Sequence, residues 1–486
     1  MENMVGDGKN IYRALSKADI ARLHQATLEV FEQTGIEVLS EKGLKTLKEA
    51  GSRIDWEKKR AFVPAELVEK CLASAPKEFT LGARNEKNDL ALNHENNVFA
   101  RNGGGPGHVE DVYTGKVHDA KLSDVRDYAR LVDALPNLNI VAPIYGQDTP
   151  VETRDIRVLG TLFGATSKHI NMRLLKMESL PYILRMAEAM AGSKEALRAR
   201  PLITMLESPI APLKVPEILI ETVEKCGEYG VPVEICSMPI TGATGPITLA
   251  GSLLMSNIEM IAGIIFSQLA HPGAPVIFTP RIMVMDMKSG HALTGSVENA
   301  LLAAAGVQLA REGYGIPVNM HGPYTDSVAP DFQSGVENTY FTLMPGLAGA
   351  SILTGFGHRE GGLFVSHTQL VMDHDLMGIV KRFLSGMPVD DNTLGLDAIA
   401  HTVTEGSVLK DRHTLRNLRK YPLHHTDLFS RQPLQNWIED GSKTTDILAR
   451  EKAIDLLVHY EPEPLPEDKQ KEIDDIIRIA AQDLEK

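Results

Sequence analysis

The residues best suited to chemistry follow a series of short apolar runs, at or near the end of each run. Histidine can exchange a proton, a carboxylate can act as a general acid or base, and arginine can grip a carboxylate through two hydrogen bonds. Aromatic faces attract cations, and aromatic residues make up only 5% of the chain, so those at run ends stand out. The candidate binding residues of this kind are Tyr145, Glu207, Arg281, His321, Tyr324 and Phe356.

Two further polar residues extend this set of candidates. Arg173 lies within the second apolar run and is the alternative to Arg281 for holding an anionic group. Gln333 opens the helical segment after the sixth run and could reach the same pocket. Glu207 and His321 could also form a proton-transfer pair, which would suit a lyase or hydrolase acting on a small polar substrate.

Glycines flank one candidate histidine and form one dense cluster elsewhere. His358 closes the seventh run directly after Gly355 and Gly357, and residues without a side chain let the backbone approach a bulky ligand closely. The cluster at residues 103–107 includes Gly104 but has neither the GxGxxG nor the Walker A spacing. We interpret it as a structural turn, with a strip beneath a large flat ligand as the alternative.

Short apolar runs alternate with longer amphipathic stretches, and this alternation predicts the elements that position the candidates. Continuous apolar runs are typical of strands buried on both faces of a parallel sheet. Polar residues at the carboxyl ends of such strands are typical of a (β/α)8 barrel, whose chemistry lies at that end. The runs are residues 140–144, 169–174, 202–206, 231–235, 275–278, 317–320 and 350–353.

The pattern predicts an α/β chain with three regions. Residues 1–138 form an N-terminal helical region with a glycine-rich hairpin, residues 139–390 a (β/α)8 TIM barrel, and residues 391–486 a C-terminal helical extension. The apolar stretch 245–270 contains Glu259, which would be costly in a bilayer, so we interpret it as a buried barrel helix.

Composition narrows the class of protein. The chain has 486 residues and a formal net charge of −14, with no clustered basic footprint, so we expect no nucleic-acid partner. The three cysteines lie far apart and fit a reducing compartment. Because the first residues lack the basic and apolar regions of a signal peptide, we expect a cytoplasmic protein that does not bind a membrane.

Five segments, in their order and spacing, resemble the trimethylamine methyltransferase superfamily, and the similarity runs from about residue 17 to residue 459. They are Thr114-Gly-Lys-Val-His-Asp-Ala-Lys-Leu-Ser-Asp-Val, Leu131-Val-Asp-Ala-Leu-Pro-Asn-Leu, Gln333-Ser-Gly-Val-Glu337, Leu347-Ala-Gly-Ala350 and Gln369-Leu-Val-Met-Asp373. The resemblance implies a barrel that takes a methyl group from an amine and delivers it to the Co(I) cobalamin of a separate corrinoid protein.

The founding branch of that superfamily carries pyrrolysine in the barrel, whereas every position here is a standard residue. The resemblance therefore points to the non-pyrrolysine branch, whose members demethylate quaternary amines such as glycine betaine. It implies that the run-end residues bind the amine, with Arg281 holding a betaine carboxylate. It also implies that His358, Gly355, Gly357 and Gly104 face the corrinoid.

Two other interpretations and two structural questions stay open at this point. The lyase or hydrolase interpretation predicts turnover without any corrinoid, and a third interpretation is a non-catalytic partner of a corrinoid protein. No spacing of Cys, His and carboxylate residues supports a zinc site, so we expect none. We expect a homo-oligomer, with the C-terminal extension packed beside the barrel or between subunits.

Overall fold

Eight parallel strands form the central sheet of the computed structural model, which describes residues 13–93, 98–420 and 423–485. In chain order β1–β8 are Phe99–Asn102, Ile140–Val141, His169–Arg173, Ile203–Glu207, Val233–Ser237, Val276–Pro280, Asn319–His321 and Ile352–Phe356. β1 lies between β2 and β8, and a parallel bridge from Phe278 to Val318 joins β6 to the start of β7. The sheet therefore closes on itself, and the predicted (β/α)8 barrel is confirmed.

One main helix follows each strand and covers the outside of the barrel. In chain order α1–α8 are Leu122–Ala134, Arg154–Ala165, Leu180–Ala191, Glu217–Tyr229, Leu249–Ala270, Val297–Gln308, Phe332–Ala348 and His367–Leu384. Side chains fix several starts: Ser296, Asp331 and Ser366 each accept a hydrogen bond from the backbone N–H three residues further on. These caps set where each helix leaves the loop at the carboxyl end of the barrel.

The first barrel strand is where the structure departs most from the sequence analysis, which predicted a glycine-rich hairpin within residues 1–138. Phe99–Asn102 is β1 of the barrel, and only the following strands His108–Glu110 and Val117–Asp119 pair as a hairpin. β1 is four residues long and contains Arg101 and Asn102, so no continuous apolar run marks it. The barrel thus takes its first strand from within residues 1–138.

A second hairpin seals the amino-terminal end of the barrel. Its strands are Phe79–Leu81 and Leu90–Leu92. Leu81, Leu90 and Leu92 form a buried cluster with residues of three barrel strands, Ile140, Ile277 and Ile352. Because apolar packing fills this end, the polar interior faces the other end, where the strands finish.

The C-terminal extension is helical, as predicted. Helix Thr445–His459 packs on α8 and α1, and helix Glu467–Leu484 packs on α2 and α3. The shorter helices of the extension are Asp391–Leu394, Leu396–Glu405, Arg412–Asn417 and Leu434–Glu439.

The N-terminal region is helical, with short strands added. Its helices are Lys17–Gln33, Glu41–Glu49 and Ala65–Ser74, and its sheet contains Ile36–Val38, Arg53–Asp55 and Arg60–Phe62. The remaining short elements are strands Lys214–Val215, Ile240–Thr241, Met283–Met285, Ala292–Leu293, His358–Arg359 and Phe364–Ser366, helix Lys194–Ala199, the π-helix Leu309–Tyr314 and the 3-10 turns Glu86–Asn88, Met177–Ser179 and Glu360–Gly362.

α5 is the one described helix that is long and apolar enough to cross a membrane by length and composition. It is mostly buried between the barrel and the N-terminal helix Lys17–Gln33. Two of its polar side chains have partners there: Asn257 Nδ2 donates to Thr27 Oγ1 at 2.8 Å, and Glu259 Oε2 accepts from Ser237 Oγ at 2.7 Å. The predicted buried barrel helix is confirmed.

Candidate active site at the carboxyl end of the barrel

A buried polar layer crosses the barrel interior and is centred on Glu234 of β5. Its carboxylate accepts hydrogen bonds from Arg101 Nη1 at 2.7 Å, Asn171 Nδ2 at 3.1 Å and Asn319 Nδ2 at 2.8 Å. Arg101 Nε also donates to Thr354 Oγ1 at 2.9 Å. Since β1, β3, β5 and β7 each supply one of the first four side chains, this is an alternate-strand layer of a TIM barrel. The buried charges of Arg101 and Glu234 neutralise each other.

Sequence reasoning missed this layer. Glu234 lies inside the apolar run 231–235, and Arg101 lies in the strand that was taken for a hairpin. A charged residue within a run that must be buried on both faces was the available signal, because such a charge needs a partner.

Three aromatic rings lie together near the carboxyl ends of β7 and β8. The rings of His321 and Tyr324 stack with centroids 4.4 Å apart, and the ring of His358 meets Tyr324 edge to face at 4.9 Å. His358 also lies against Gly103, where an added Cβ would come within 2.1 Å of the imidazole. The structure therefore brings three of the predicted residues into one cluster.

Burial keeps both imidazoles of this cluster uncharged. Burial, then the nearby Arg281 and Arg101 charges, lowers the pKa of His358 to about 3. The pKa of His321 is lowered well below its ordinary value, again by burial first and then by Arg281. Nδ1 of His321 and both ring nitrogens of His358 are buried without a hydrogen-bond partner. The cluster thus presents neutral aromatic rings with unused ring nitrogens.

Arg281 supplies a positive charge beside these rings. Its backbone N–H donates to the Ser237 carbonyl at 2.8 Å, which fixes the residue next to the end of β5. Side-chain atoms Nε and Nη2 are buried without a hydrogen-bond partner, and no ion pair to Arg281 occurs in the described part of the chain. These two nitrogens are free to donate hydrogen bonds to an anionic group of a ligand.

Tyr145 and Glu207 lie in a different place, around Arg173. Tyr145 Oη donates to the Arg173 carbonyl at 2.8 Å, and Glu207 Oε1 accepts from Thr222 Oγ1 of α4 at 3.4 Å. Burial raises the pKa of Glu207 to about 7, and the Arg173 charge opposes that shift. The Glu207 carboxylate therefore faces the helix layer outside the barrel.

The predicted proton-transfer pair does not form. No contact joins Glu207 to His321 among the described residues, and the charges that act on the two groups differ. Without that pair, the lyase or hydrolase interpretation has no geometric basis.

Phe356 and Gln333 also lie outside the aromatic cluster. The Phe356 side chain is fully buried in the main hydrophobic core. Gln333 is exposed on the first turn of α7, where its Nε2 donates to Glu337 Oε1 at 2.9 Å. The sequence placed Phe356 at a strand end and Gln333 at the start of a helical segment, but it could not give the direction of their side chains.

The chain's own side chains fill the space beside the predicted corrinoid-facing glycines. At Gly355, with φ of +114°, an added Cβ would lie 2.6 Å from the Tyr324 ring. At Gly357, with φ of +87°, it would lie 2.0 Å from Tyr128 Oη, and at Gly104 it would lie 2.7 Å from the Cβ of Ala142. These contacts explain the glycines structurally, and their role toward a corrinoid stays a prediction.

No group of three or more His, Cys, Asp or Glu side chains is arranged to hold a metal ion within residues 13–93, 98–420 and 423–485. The three cysteines are buried and unpaired. The cluster therefore offers aromatic faces, ring nitrogens and a guanidinium, which suit an organic ligand with a cationic head and an anionic group.

Comparisons with known proteins give consistent results. The model of the family described as trimethylamine methyltransferase (MTTB) matches residues 3–484. A trimethylamine methyltransferase MttB of Desulfitobacterium hafniense is 33% identical, with 93% of this chain and 90% of the relative covered. A glycine betaine methyltransferase of the same species is 29% identical, with 93% and 94% covered.

Among solved structures, the monomethylamine methyltransferase MtmB of Methanosarcina barkeri has a similar fold. The TM-score is 0.52 at 13% sequence identity, and 92% of this chain and 89% of that chain are covered. This likeness supports the barrel architecture.

Proposed function

The chain belongs to the trimethylamine methyltransferase family, and on that premise we propose that it transfers a methyl group from a carboxylate-bearing quaternary amine to a corrinoid protein. One observation carries the choice of substrate: the unpaired guanidinium of Arg281 lies beside the aromatic cluster of His321, Tyr324 and His358. A betaine has matching chemistry, because its ammonium head suits aromatic faces and its carboxylate suits arginine.

The protonation states of the three ring side chains support the binding of a cationic group. Both imidazoles are neutral, and burial raises the pKa of Tyr324 to about 12, so its hydroxyl stays protonated. None of the three rings therefore repels a positive charge at neutral pH. The Arg281 guanidinium, with Nε and Nη2 unpartnered, would meet the carboxylate end of the ligand.

The absence of pyrrolysine supports a quaternary rather than a tertiary amine. Every residue of the chain is a standard amino acid. A quaternary nitrogen already carries positive charge, so the N–CH3 bond can break with its electron pair staying on the departing neutral tertiary amine. No side chain has to activate the substrate.

The methyl acceptor in this proposal is a second substrate, carried by a separate protein. The corrinoid, when bound, supplies a Co(I) nucleophile for the methyl group. The open space beside Gly105, where nothing lies within 4 Å of an added Cβ, is in line with the approach of a large group there. The chain's own task is then to bind the amine, orient one methyl group toward the mouth and exclude water.

The glycine betaine methyltransferase relative is in line with this substrate class, whereas the trimethylamine methyltransferase relative favours a tertiary amine. An assay of methyl transfer to Co(I) cobalamin, monitored through the absorbance change on methylation, separates these two substrate classes. We expect transfer from glycine betaine and none from trimethylamine. Transfer from trimethylamine alone would contradict the proposed substrate, and no transfer from any amine would contradict the proposed reaction.

A further inference from the structure

The segment from Phe383 to Lys420, here called the C-terminal arm, exposes an unusual amount of apolar surface. Eleven of its large apolar side chains are exposed, among them Met387 at 81%, Val403 at 87% and Leu409 at 78%. The eleven are Phe383, Met387, Val389, Leu394, Leu396, Ile399, Val403, Val408, Leu409, Leu415 and Leu418. Scattered exposed apolar residues are ordinary, but a concentration of this kind marks an interaction surface.

The arm has too little internal packing to hold its helices alone. Its three helices are 4, 10 and 6 residues long, and isolated helices of such length are marginal in water. In the helix Leu396–Glu405, the residues Leu396, Ile399 and Val403 share one face, and that face is exposed. No residue of the described ranges 13–93, 98–420 and 423–485 covers the apolar side of this helix.

The arm also provides an apolar groove next to the exposed apolar face of the helix Leu396–Glu405. A cavity of about 490 Å³ lies between the end of α8 and the helix Arg412–Asn417, with Met387, Val389, Leu394 and Leu418 in its wall. A surface that carries both an apolar ridge and an apolar groove can pair with a copy of itself around a two-fold axis.

The start of the arm lies at the opposite end of the barrel from the aromatic cluster, which argues against the methyl acceptor as the cover. α8 ends beside Asn137, which precedes β2, and Lys381 Nζ donates to Asn137 Oδ1 at 3.2 Å. The arm therefore leaves the barrel at the amino-terminal end, opposite the aromatic cluster at the carboxyl end. A transient acceptor would in addition leave the apolar surface bare after every turnover.

We propose that the C-terminal arm is an interface between copies of this chain. A large apolar side chain contributes roughly 80 Å² of apolar surface, so the eleven together present on the order of 800 Å², about what one partner contributes to a standard stable interface. The arms of two copies pack against each other, with the Ile399 and Val403 ridge of one copy in the groove of the other.

The oligomeric state of the full chain tests this proposal. Wild-type protein should sediment at a multiple of the 53.2 kDa chain mass at micromolar concentration. Ile399→Glu combined with Val403→Glu should sediment as the single chain, because the two carboxylates would be buried in the interface. Val458→Glu is the matched control, since Val458 is 60% exposed on the helix Thr445–His459 outside the arm, and it should keep the wild-type mass.

Hydrogen exchange gives a second measurement, which compares the wild-type protein with the double variant. Amides of the helix Leu396–Glu405 should exchange more slowly in the oligomer than in the monomeric variant. A wild-type protein that sediments as a single chain would overturn the proposal. So would a double variant that keeps the wild-type mass and the wild-type exchange rates.

Discussion

At the scale of single residues, the neutral state of His321 and His358 is a consequence of where the barrel places its arginines. Burial disfavours an imidazolium, and the Arg281 and Arg101 charges add to the effect at both rings. Protonated imidazoles would repel an ammonium group, whereas neutral rings can lie against it. The same arginine that would hold a carboxylate thus keeps its neighbours suitable for the other end of a betaine.

Arg281→Met tests the carboxylate contact. Hydrogen bonds to a charged group contribute about 1.5–3 kcal/mol, so the dissociation constant for glycine betaine, measured by calorimetry, should rise roughly 10- to 150-fold. Choline has no carboxylate, so its affinity should change little. Arg185→Met is the matched control, because Arg185 is exposed on α3, outside the barrel. Unchanged betaine affinity in Arg281→Met would contradict the contact.

His358→Asn should change how stability depends on pH. The histidine has a pKa near 6.5 when unfolded and about 3 when folded, so between these values the unfolded chain binds one more proton. The stability that depends on neutral His358 is complete above pH 6.5 and falls by up to about 1.4 kcal/mol per pH unit as the pH drops toward 3. Denaturant unfolding from pH 7 to 5 should therefore show a steeper loss for the wild type than for His358→Asn.

The control for this pH series is His401→Asn. His401 is exposed, and its hydrogen bond to Asp411 raises its pKa, so its removal should not reduce the acid sensitivity. Equal slopes for wild type and His358→Asn would show that His358 does not stay neutral in the folded protein.

At the scale of elements, the register of each strand decides which residues meet. Side chains alternate between the two faces of a strand, so a shift of one residue sends a side chain from the barrel interior to the helix layer. Glu234 of β5 faces the interior, whereas Glu207 at the end of β4 contacts α4. The apolar runs of the sequence located both strands, but runs without alternation carry no information on which residues point inward.

The sequence therefore predicted the barrel and the meeting of three candidate residues for physical reasons that can be separated. Seven strands were visible as apolar runs, and β1 was hidden because Arg101 and Asn102 interrupt it. His321, Tyr324 and His358 were placed together because strand ends meet at one end of a barrel. Gln333 and Phe356 lie outside this cluster, which the sequence could not show because side-chain direction depends on packing between elements that are distant in sequence.

The polar layer that joins the odd-numbered strands should behave as a unit. Glu234→Gln removes the charge that neutralises buried Arg101 and should lower the free energy of unfolding by about 3–5 kcal/mol. Adding Arg101→Met removes the uncompensated charge, so the double variant should be more stable than Glu234→Gln alone. Denaturant unfolding of both single variants and the double variant gives the coupling energy. Additive effects would show that the two charges do not depend on each other.

At the scale of the whole molecule, the extensions at both ends of the chain complete the barrel. The hairpin Phe79–Leu81 and Leu90–Leu92 fills its amino-terminal end. Helix Thr445–His459 covers α1 and α8, the first and last helices of the barrel. The place where these two helices adjoin is here called the seam. Tyr460 Oη adds a hydrogen bond to Asp133 Oδ2 at 2.7 Å. Because the amino-terminal end and the contact between α1 and α8 are both covered, the polar interior opens at the carboxyl end.

The packing of the seam leads to a prediction for Ala453, which is fully buried in the helix Thr445–His459. Small residues let this helix approach α1 and α8 closely, so Ala453→Leu should overpack the contact and lower the free energy of unfolding by about 1–3 kcal/mol. Asp455→Leu, at an exposed position of the same helix, should cost much less. Because the seam lies outside the barrel wall, the affinity of folded Ala453→Leu for glycine betaine should stay at the wild-type value. Calorimetry measures both quantities, and full stability of Ala453→Leu would mean that the helix does not pack tightly over the seam.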